Sequence, residues 1–200
     1  MAEAKKKVKV VLKGVTPKGV FVWAWVDKPD NSEYGKGKYK CAQKLEKGVP
    51  ENDAFARKLR ELHKAAKGKA DTCPIKDGDK LAEDNEEKNG KFRGFWLLTA
   101  KSKNKPEQID AKKNPLKATA KSGDFGRLSV AAAEFDTGAN KGITLYLNAL
   151  QLLERRAASA VDDFDDEGDE YGEDKAAAET PDGDDSGDDS NDGDDDGDAF

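Results

Sequence analysis

A period of two, in which apolar and polar residues alternate, is the dominant pattern along the first 153 positions of this chain. That period is typical of β-strands that bury one face, and clusters of Gly, Pro, Asn and Asp between the stretches are typical of turns. The pattern predicts six strands, at residues 8–15, 19–26, 36–45, 91–101, 125–135 and 143–153. In the sixth strand, Asn148 and Ala149 break the alternation and predict a β-bulge.

The period changes to 3.6 residues after Pro50, where Asn52 is suited to cap a helix. The apolar stripe of this helix contains Phe55, Leu59, Leu62 and Ala66. Residues 68–90 are polar and rich in turn signals, which predicts a long loop with room for a short hairpin. Strands with one helix between the third and the fourth predict a mainly β fold, an OB-fold-like Greek-key barrel. The periodicity alone fits a β-sandwich equally well.

The charge of the chain is divided between two regions. Residues 1–161 hold 34 lysines and arginines against 21 acidic residues, a net charge of +13. Residues 162–200 hold one lysine against 20 acidic residues, a net charge of −19. This division predicts a folded basic body at 1–161 and an acidic tail at 162–200. The tail has almost no apolar residues to bury, so we predict that it is disordered.

The tail ends on an aromatic residue. Phe200 follows a run of aspartates, and composition does not explain a large apolar side chain there. We interpret it as a docking residue for a protein partner. The predicted partner-binding residues are Asp194, Asp195, Asp196, Asp198 and Phe200. None of the aspartate runs has the ligand spacing of an EF-hand, so we predict no metal site.

The residues needed for catalysis are scarce. Two cysteines, Cys41 and Cys73, and one histidine, His63, are too few for a disulfide framework or a Cys/His zinc site. No nucleophile has a neighbouring base, and the acids of the body are dispersed. The sequence therefore predicts a protein that is not an enzyme and needs no cofactor. It contains no apolar run that could span a membrane and no signal peptide, which predicts a cytoplasmic protein without a membrane partner.

Aromatic residues alternate along two of the predicted strands. In the second strand Phe21, Trp23 and Trp25 share one face, and four small aliphatic residues share the other. Such residues are more often core than binding surface, but here the aliphatic face is already available to fill a core. The other face then supplies flat rings on which the bases of a single-stranded nucleic acid could stack. In the fourth strand Trp96 alternates with Arg93 and Phe95.

Lysines lie at alternate positions beside these rings, and together with the charge of the body they form a candidate track for phosphates. Each lysine run taken singly would be an ordinary solvated face. The candidate DNA-binding residues are Trp23, Trp25, Lys28, Tyr34, Lys36, Lys38, Lys40, Arg93, Phe95, Trp96, Lys101, Lys103, Arg127, Phe135 and Lys141.

Five segments resemble the gene-2.5-like single-stranded DNA-binding proteins of lytic bacteriophages. The segments are AWVDKPD at 24–30, GKYKC at 37–41, RELHKAA at 60–66, NKGITLYLNALQLL at 140–153 and DGDAF at 196–200. Their order and spacing cover nearly the whole chain, although residues 68–121 match poorly. The resemblance implies an OB-fold body joined to an acidic tail that ends in an aromatic residue.

The resemblance also implies a role. Proteins of this group coat single-stranded DNA during replication, recombination, repair and annealing in the infected host. The tail of such a protein contacts the phage DNA polymerase and helicase-primase, and it can lie in the basic groove of its own or a partner subunit, which implies a homodimer. Three alternatives stay open on the sequence: a chaperone of basic proteins, a nuclease, and a single-stranded RNA-binding protein.

Overall fold

The computed structural model describes residues 9–33 and 35–156, which form eight strands and three α-helices. The strands are β1 (Val10–Val15), β2 (Gly19–Asp30), β3 (Lys38–Glu46), β4 (Ile75–Asp77), β5 (Phe95–Ser102), β6 (Glu107–Ile109), β7 (Phe125–Asp136) and β8 (Lys141–Glu154). The helices are α1 (Pro50–Ala65), α2 (Gly78–Asp84) and α3 (Glu86–Asn89), with single 3-10 turns at Ala70–Thr72 and Gly90–Phe92.

Five of the strands close into a barrel. Hydrogen-bonded neighbours follow the order β7, β2, β3, β5, β8, and β8 pairs again with β7, which closes the ring. All pairs in the ring are antiparallel except the parallel pair β5–β8. Beside the ring, β1 extends the sheet next to β7, β4 pairs with β5, and β6 pairs with β8.

The barrel interior is filled by alternate residues of the five strands. Its fully buried side chains include Phe21, Leu45, Leu98, Leu128 and Leu145. Because successive residues of a strand point to opposite faces, this interior fixes which residues face outward. Gly126 of β7 is needed for close packing, since a Cβ atom there would lie 2.1 Å from the carbonyl oxygen of Gln151 and 2.6 Å from the Phe21 ring.

The predicted helix is present, but its start differs from the prediction. Pro50 occupies the first turn and Val49 is the N-cap, without a side-chain cap. Asn52 lies inside the first turn, where its side-chain amide donates to the carbonyl oxygen of Glu46 at 2.9 Å. Asn52 therefore ties α1 to the end of β3. The helix buries Leu59 in the barrel core as the apolar stripe predicted.

The prediction of a long loop at 68–90 is wrong. This segment contains β4, α2 and α3, which the sequence pattern missed because each is only three to seven residues long. Asp77 caps α2 by accepting from the backbone N–H of Asp79 at 3.0 Å. The predicted bulge in β8 is confirmed, because Ser129 pairs with Ala149 and Val130 with Leu147, which skips Asn148.

Backbone contacts divide the chain into two units, Met1–Ala158 and Ser159–Phe200, and every described residue belongs to the first. The predicted tail residues Asp194, Asp195, Asp196, Asp198 and Phe200 lie outside the described residues, as does Tyr34.

Candidate nucleic-acid interface

A β-bulge in β2 sets the direction of its tryptophan side chains. Val22 pairs with Ala42 and Trp25 pairs with Lys40, so Trp23 and Ala24 together face the single residue between those partners. The extra residue shifts the alternation by one position. Trp23 adopts φ +50°, a left-handed backbone that costs a non-glycine residue about 1–3 kcal/mol. The backbone N–H of Ala24 donates to the Ser122 hydroxyl at 3.0 Å, which holds the bulge in place.

The bulge separates Phe21 from the two tryptophans. Phe21 points into the barrel and is fully buried, whereas Trp23 is 41% and Trp25 46% exposed on the outer face. The prediction that these three rings share one face is therefore wrong for Phe21. Strict alternation fails because a bulge exchanges the two faces of a strand at the point of insertion.

One row of paired residues crosses the outer face of the barrel from Trp25. Trp25 on β2 pairs with Lys40 on β3, Lys40 pairs with Lys101 on β5, and Lys101 pairs with Tyr146 on β8. Residues paired directly across strands have their side chains on the same face. We call these four residues the outer row. It places one aromatic ring at each end of a pair of ammonium groups.

Lys40 is held in the outer row by a buried carboxylate. Its Nζ lies 2.8 Å from Asp30 Oδ2, and Asp30 also accepts from the backbone N–H and the hydroxyl of Ser32 at 3.0 Å and 2.6 Å. The bonds from Lys40 and then Ser32 lower the pKa of Asp30 to about 2. The stabilisation from this pair is thus present above the ordinary carboxyl pKa and is lost as the pH falls towards 2. Lys40 is partly neutralised before any ligand arrives.

Lys101 differs from Lys40 in its charged neighbours. Within residues 9–33 and 35–156, Lys38, Lys101 and Lys103 form no ion pair. Partial desolvation, followed by the nearby charges of Lys40 and Lys38, lowers the pKa of Lys101 below its usual value. A cation destabilised by its neighbours gains when an anion binds beside it. Lys101 is therefore the best-placed phosphate ligand of the outer row.

A second, smaller apolar cluster covers the outer face next to the row. Phe92 and Leu81, from the segment 78–92, pack on Val22, Ala42 and Leu97 of the sheet. The Trp23 ring contacts the Phe92 ring edge to face, with centroids 5.4 Å apart. Trp23 therefore lies at the boundary between the covered and the open part of the outer face. Trp25 is the indole that belongs to the outer row itself.

Trp25 also borders a concave surface. The residues around it are Trp25, Lys28, Pro29, Asp30, Asn31, Ser32 and Lys40. Lys28 is exposed at this concavity, and Lys36 is exposed in the turn that leads into β3, where it adopts φ +51°. Lys38 begins β3, and Lys103 follows β5. The structure thus brings most of the predicted lysines of β2, β3 and β5 to one end of the outer face.

Trp96 does not join this group. Its indole N–H donates to Asp53 Oδ1 of α1 at 2.7 Å, and its ring packs against the barrel core. Lys47 and Arg60 lie over the ring, with their charged groups 4.5 Å and 5.5 Å from its centroid. The sequence grouped Trp96 with the other tryptophans, but it lines a separate cleft beside α1. The hydrogen bond to Asp53 and the cations over the ring show that Trp96 has a structural role.

Arg93 and Phe95 are also away from the outer row. The Arg93 guanidinium forms an ion pair with Glu86, which further raises the pKa of the arginine. Phe95 is half-buried at the opposite end of β5 from Lys101, with Lys44 Nζ 4.8 Å from its ring centroid. Both side chains already have partners, so the structure offers no reason to assign them to a shared binding surface with Trp25.

The three remaining candidates lie on β7 and at the start of β8. Arg127 is half-buried opposite Gln151, and its Nε has no hydrogen-bond partner in the described part of the chain. Phe135 is half-buried opposite Gly142, and Lys141 forms an ion pair with Asp136 at 2.8 Å. Arg127, Phe135 and Lys141 are thus not brought into the outer row.

Tyr146 is the residue of the row that was not among the candidate DNA-binding residues. It is 41% exposed, an unusual state for a large ring in the middle of a strand. Its place in the row depends on the parallel pairing of β5 with β8, which joins residues 45 positions apart in the sequence. The alternation of β8 gave a usable signal, since Leu145 and Leu147 on either side of Tyr146 are buried.

Within residues 9–33 and 35–156 there is no group of three or more His, Cys, Asp or Glu side chains that could hold a metal ion. None of the helices described here is both long and apolar enough to cross a membrane.

A closed five-stranded barrel with exposed rings and lysines on its outer face defines the class of OB-fold proteins that bind nucleic acid. Within that class, the chain belongs to the family of the ssDNA-binding protein of Enterobacter phage Enc34, whose family model matches residues 29–177. A comparison with curated protein sequences finds no match.

Solved structures support the same fold. The single-stranded DNA-binding protein of bacteriophage Enc34, as a C-terminal truncation, has a TM-score of 0.58 and 18% identity, covering 80% of this chain and 98% of that chain. The Enc34 protein in complex with ssDNA gives 0.57 and 17%, covering 77% and 98%. The gp2.5 single-stranded DNA-binding protein of bacteriophage T7 gives 0.51 and 17%, covering 86% and 97%. These likenesses confirm the predicted OB-fold-like barrel, and the relatives are DNA-binding proteins rather than enzymes.

Proposed function

We propose that this protein coats single-stranded DNA without sequence preference and that the outer row carries the contact. The observation behind this is the register that places Trp25, Lys40, Lys101 and Tyr146 side by side across four strands. Rings stack on bases of any identity, and ammonium groups follow the phosphates, so the row suits a strand of any sequence. The protein acts in phage DNA replication, recombination, repair and annealing, in the cytoplasm of the infected host, and needs no cofactor.

The first test is a titration with oligo(dT) at several salt concentrations, with duplex DNA and oligo(rU) as competitors. We expect tryptophan fluorescence quenching that duplex DNA does not reverse, and an affinity that falls log-linearly as salt rises. Preference for oligo(rU) would assign the row to RNA. Binding of a basic protein with no binding of oligonucleotides would favour the chaperone alternative. Hydrolysis of the oligonucleotide would favour the nuclease.

Replacing Lys101 with methionine tests the phosphate track. We expect weaker binding to oligo(dT) and a salt slope that is smaller by about 0.7, the contribution of one phosphate contact to a single strand. Lys58→Met is the matched control, because Lys58 is an exposed lysine of α1, which supplies no residue of the outer row. An equal change of slope in both variants would mean that only the net charge matters and that Lys101 has no special place.

The acidic tail is proposed to regulate this surface. Its net charge of −19 makes it a competitor for the same cations that bind phosphate, in its own body or in a second copy, and binding to a second copy would form a homodimer. In the same proposal, Asp194, Asp195, Asp196, Asp198 and Phe200 recruit the phage DNA polymerase and helicase-primase. The carboxylates steer association with basic surfaces, and Phe200 supplies an apolar anchor.

Removal of the tail is expected to strengthen DNA binding. A chain that ends at Val161 changes its net charge from −6 to +13, so it should bind oligo(dT) more tightly and with a steeper salt dependence. Fluorescence anisotropy measures both. Deletion of Phe200 alone is the control, since it removes no side-chain charge: DNA affinity should be kept and polymerase binding lost. Equal affinity of the full and shortened chains at every salt concentration would contradict the competition.

A further inference from the structure

We propose that the bound strand crosses the β-strands and runs around the barrel, from Trp25 on β2 over Tyr146 on β8 to Lys13 on β1. This inference rests on the proposed function and adds the path and the extent of the contact. It assigns Tyr146 as a second base-stacking residue and Lys13 as the phosphate ligand at the far end, and neither was among the candidates that the sequence indicated.

The register continues beyond the outer row. Tyr146 pairs with Ala131 of β7, and Ala131 pairs with Lys13 of β1. Direct pairs share a face, so all six residues from Trp25 to Lys13 lie on one line over the outside of six neighbouring strands. We call this line the extended row. Its order is ring, two lysines, ring, alanine and lysine.

The side chains along the extended row leave room for a strand. Ala131 is the smallest of the six, so β7 places no large side chain in the row between Tyr146 and Lys13. Lys13 is exposed and forms no ion pair within the described ranges. Lys9 of the same sheet edge differs, because its Nζ lies 2.9 Å from Glu134 Oε1. Lys13 is thus available to a phosphate, as Lys101 is.

A path along the strands is closed in one direction. The segment 78–92 covers the sheet next to the row, where Phe92 packs on Val22, Ala42 and Leu97. A nucleic acid that stacks on Trp25 and runs parallel to β2 meets Trp23 and Phe92, whose rings are in contact. Across the strands, Trp25, Lys101 and Tyr146 are exposed and Lys40 is half-buried.

The two rings are too far apart to hold neighbouring stacked bases. Trp25 and Tyr146 are separated by three inter-strand steps of about 4.8 Å, or about 14 Å along the surface. Adjacent phosphates of one stacked strand are about 3.4 Å apart along the axis. Each ring therefore serves a different part of the bound strand, and Lys13 lies two further steps away. The contribution of Tyr146 and Lys13 should depend on the length of the oligonucleotide.

The experiment compares oligo(dT) of 3 and 12 nucleotides on the full chain by fluorescence anisotropy. Tyr146→Ala should weaken binding of the 12-mer by roughly 5- to 150-fold, the range for loss of one stacked base. Binding of the 3-mer should change less than about twofold, because Trp25, Lys40 and Lys101 still hold it. Lys13→Met should lower the salt slope for the 12-mer by about 0.7 and leave the 3-mer unchanged.

Three control variants show whether the ring and the ammonium group themselves carry these contacts. Tyr146→Phe keeps the ring and should keep the affinity, which distinguishes stacking from the loss of a hydroxyl. Val49→Ala removes another exposed apolar side chain, away from the row, and should bind as the wild type does. Lys9→Met, whose charge is paired, should keep the slope. Unchanged 12-mer binding by Tyr146→Ala, with normal wild-type binding, would overturn the path, whereas failure of the wild type to bind would overturn the proposed function.

Discussion

Replacement of Trp25 by alanine is expected to weaken binding of oligo(dT) by roughly 5- to 150-fold, equivalent to about 1–3 kcal/mol for one stacked base. Trp25 is 46% exposed on the outer face and pairs directly with Lys40. The free protein gives up little when this side chain is removed, because the ring contributes little to the core. Most of the loss should therefore appear in affinity. Anisotropy with labelled oligo(dT) measures it without relying on the removed fluorophore.

Trp96→Phe is the matched control for Trp25→Ala. Trp96 donates a hydrogen bond to Asp53 and packs against the barrel core, so its replacement should lower stability and leave the affinity of the folded protein unchanged. A variant at Trp25 that binds as the wild type does, next to a Trp96 variant that does not bind, would move the binding surface to the cleft beside α1. A loss of affinity in both would indicate a contact that extends beyond the outer row.

The sequence was sufficient to predict the architecture, because strand alternation and the helical stripe are local signals. All six predicted strands and the predicted helix lie close to their predicted positions. The elements that were missed, β4, α2, α3 and β6, are short. The segment 78–92, which contains α2 and α3, is held by tertiary contacts of Leu81 and Phe92 with the outer sheet. A period needs several repeats to be recognised, and these segments do not contain them.

The site was only partly predictable, for two physical reasons. A bulge at Trp23 exchanges the faces of β2, and no residue type at this position signals it, since the left-handed backbone is occupied by tryptophan and not by glycine. Ion pairs also decide which lysines remain free. Lys40 and Lys105 are paired with Asp30 and Asp27, and Lys101 has no such pair in the described part of the chain. A lysine count gives the charge of a surface, but only the folded structure gives its partners.

The same bulge gives Phe21 and Trp25 opposite roles, which Phe21→Ala makes measurable. Phe21 is fully buried and packs against Gly126, so its truncation should lower the free energy of unfolding by about 3–5 kcal/mol. For a domain of this size the midpoint of thermal unfolding should fall by roughly 6–20 °C. Circular dichroism during heating and in urea measures both quantities. Trp25→Ala, at an exposed position, should move the midpoint far less.

The affinity of the Phe21 variant then decides between core and interface. Measured at a temperature where Phe21→Ala is fully folded, oligo(dT) binding should stay within about twofold of the wild type, because Phe21 points into the barrel and away from the outer row. A stable Phe21→Ala protein that has lost DNA binding would place this ring against bases. Strict alternation along β2, without a bulge, predicts the same position for the ring. The outer face would then have to include Phe21, and the assignment of Trp25 through the bulge would fail with it.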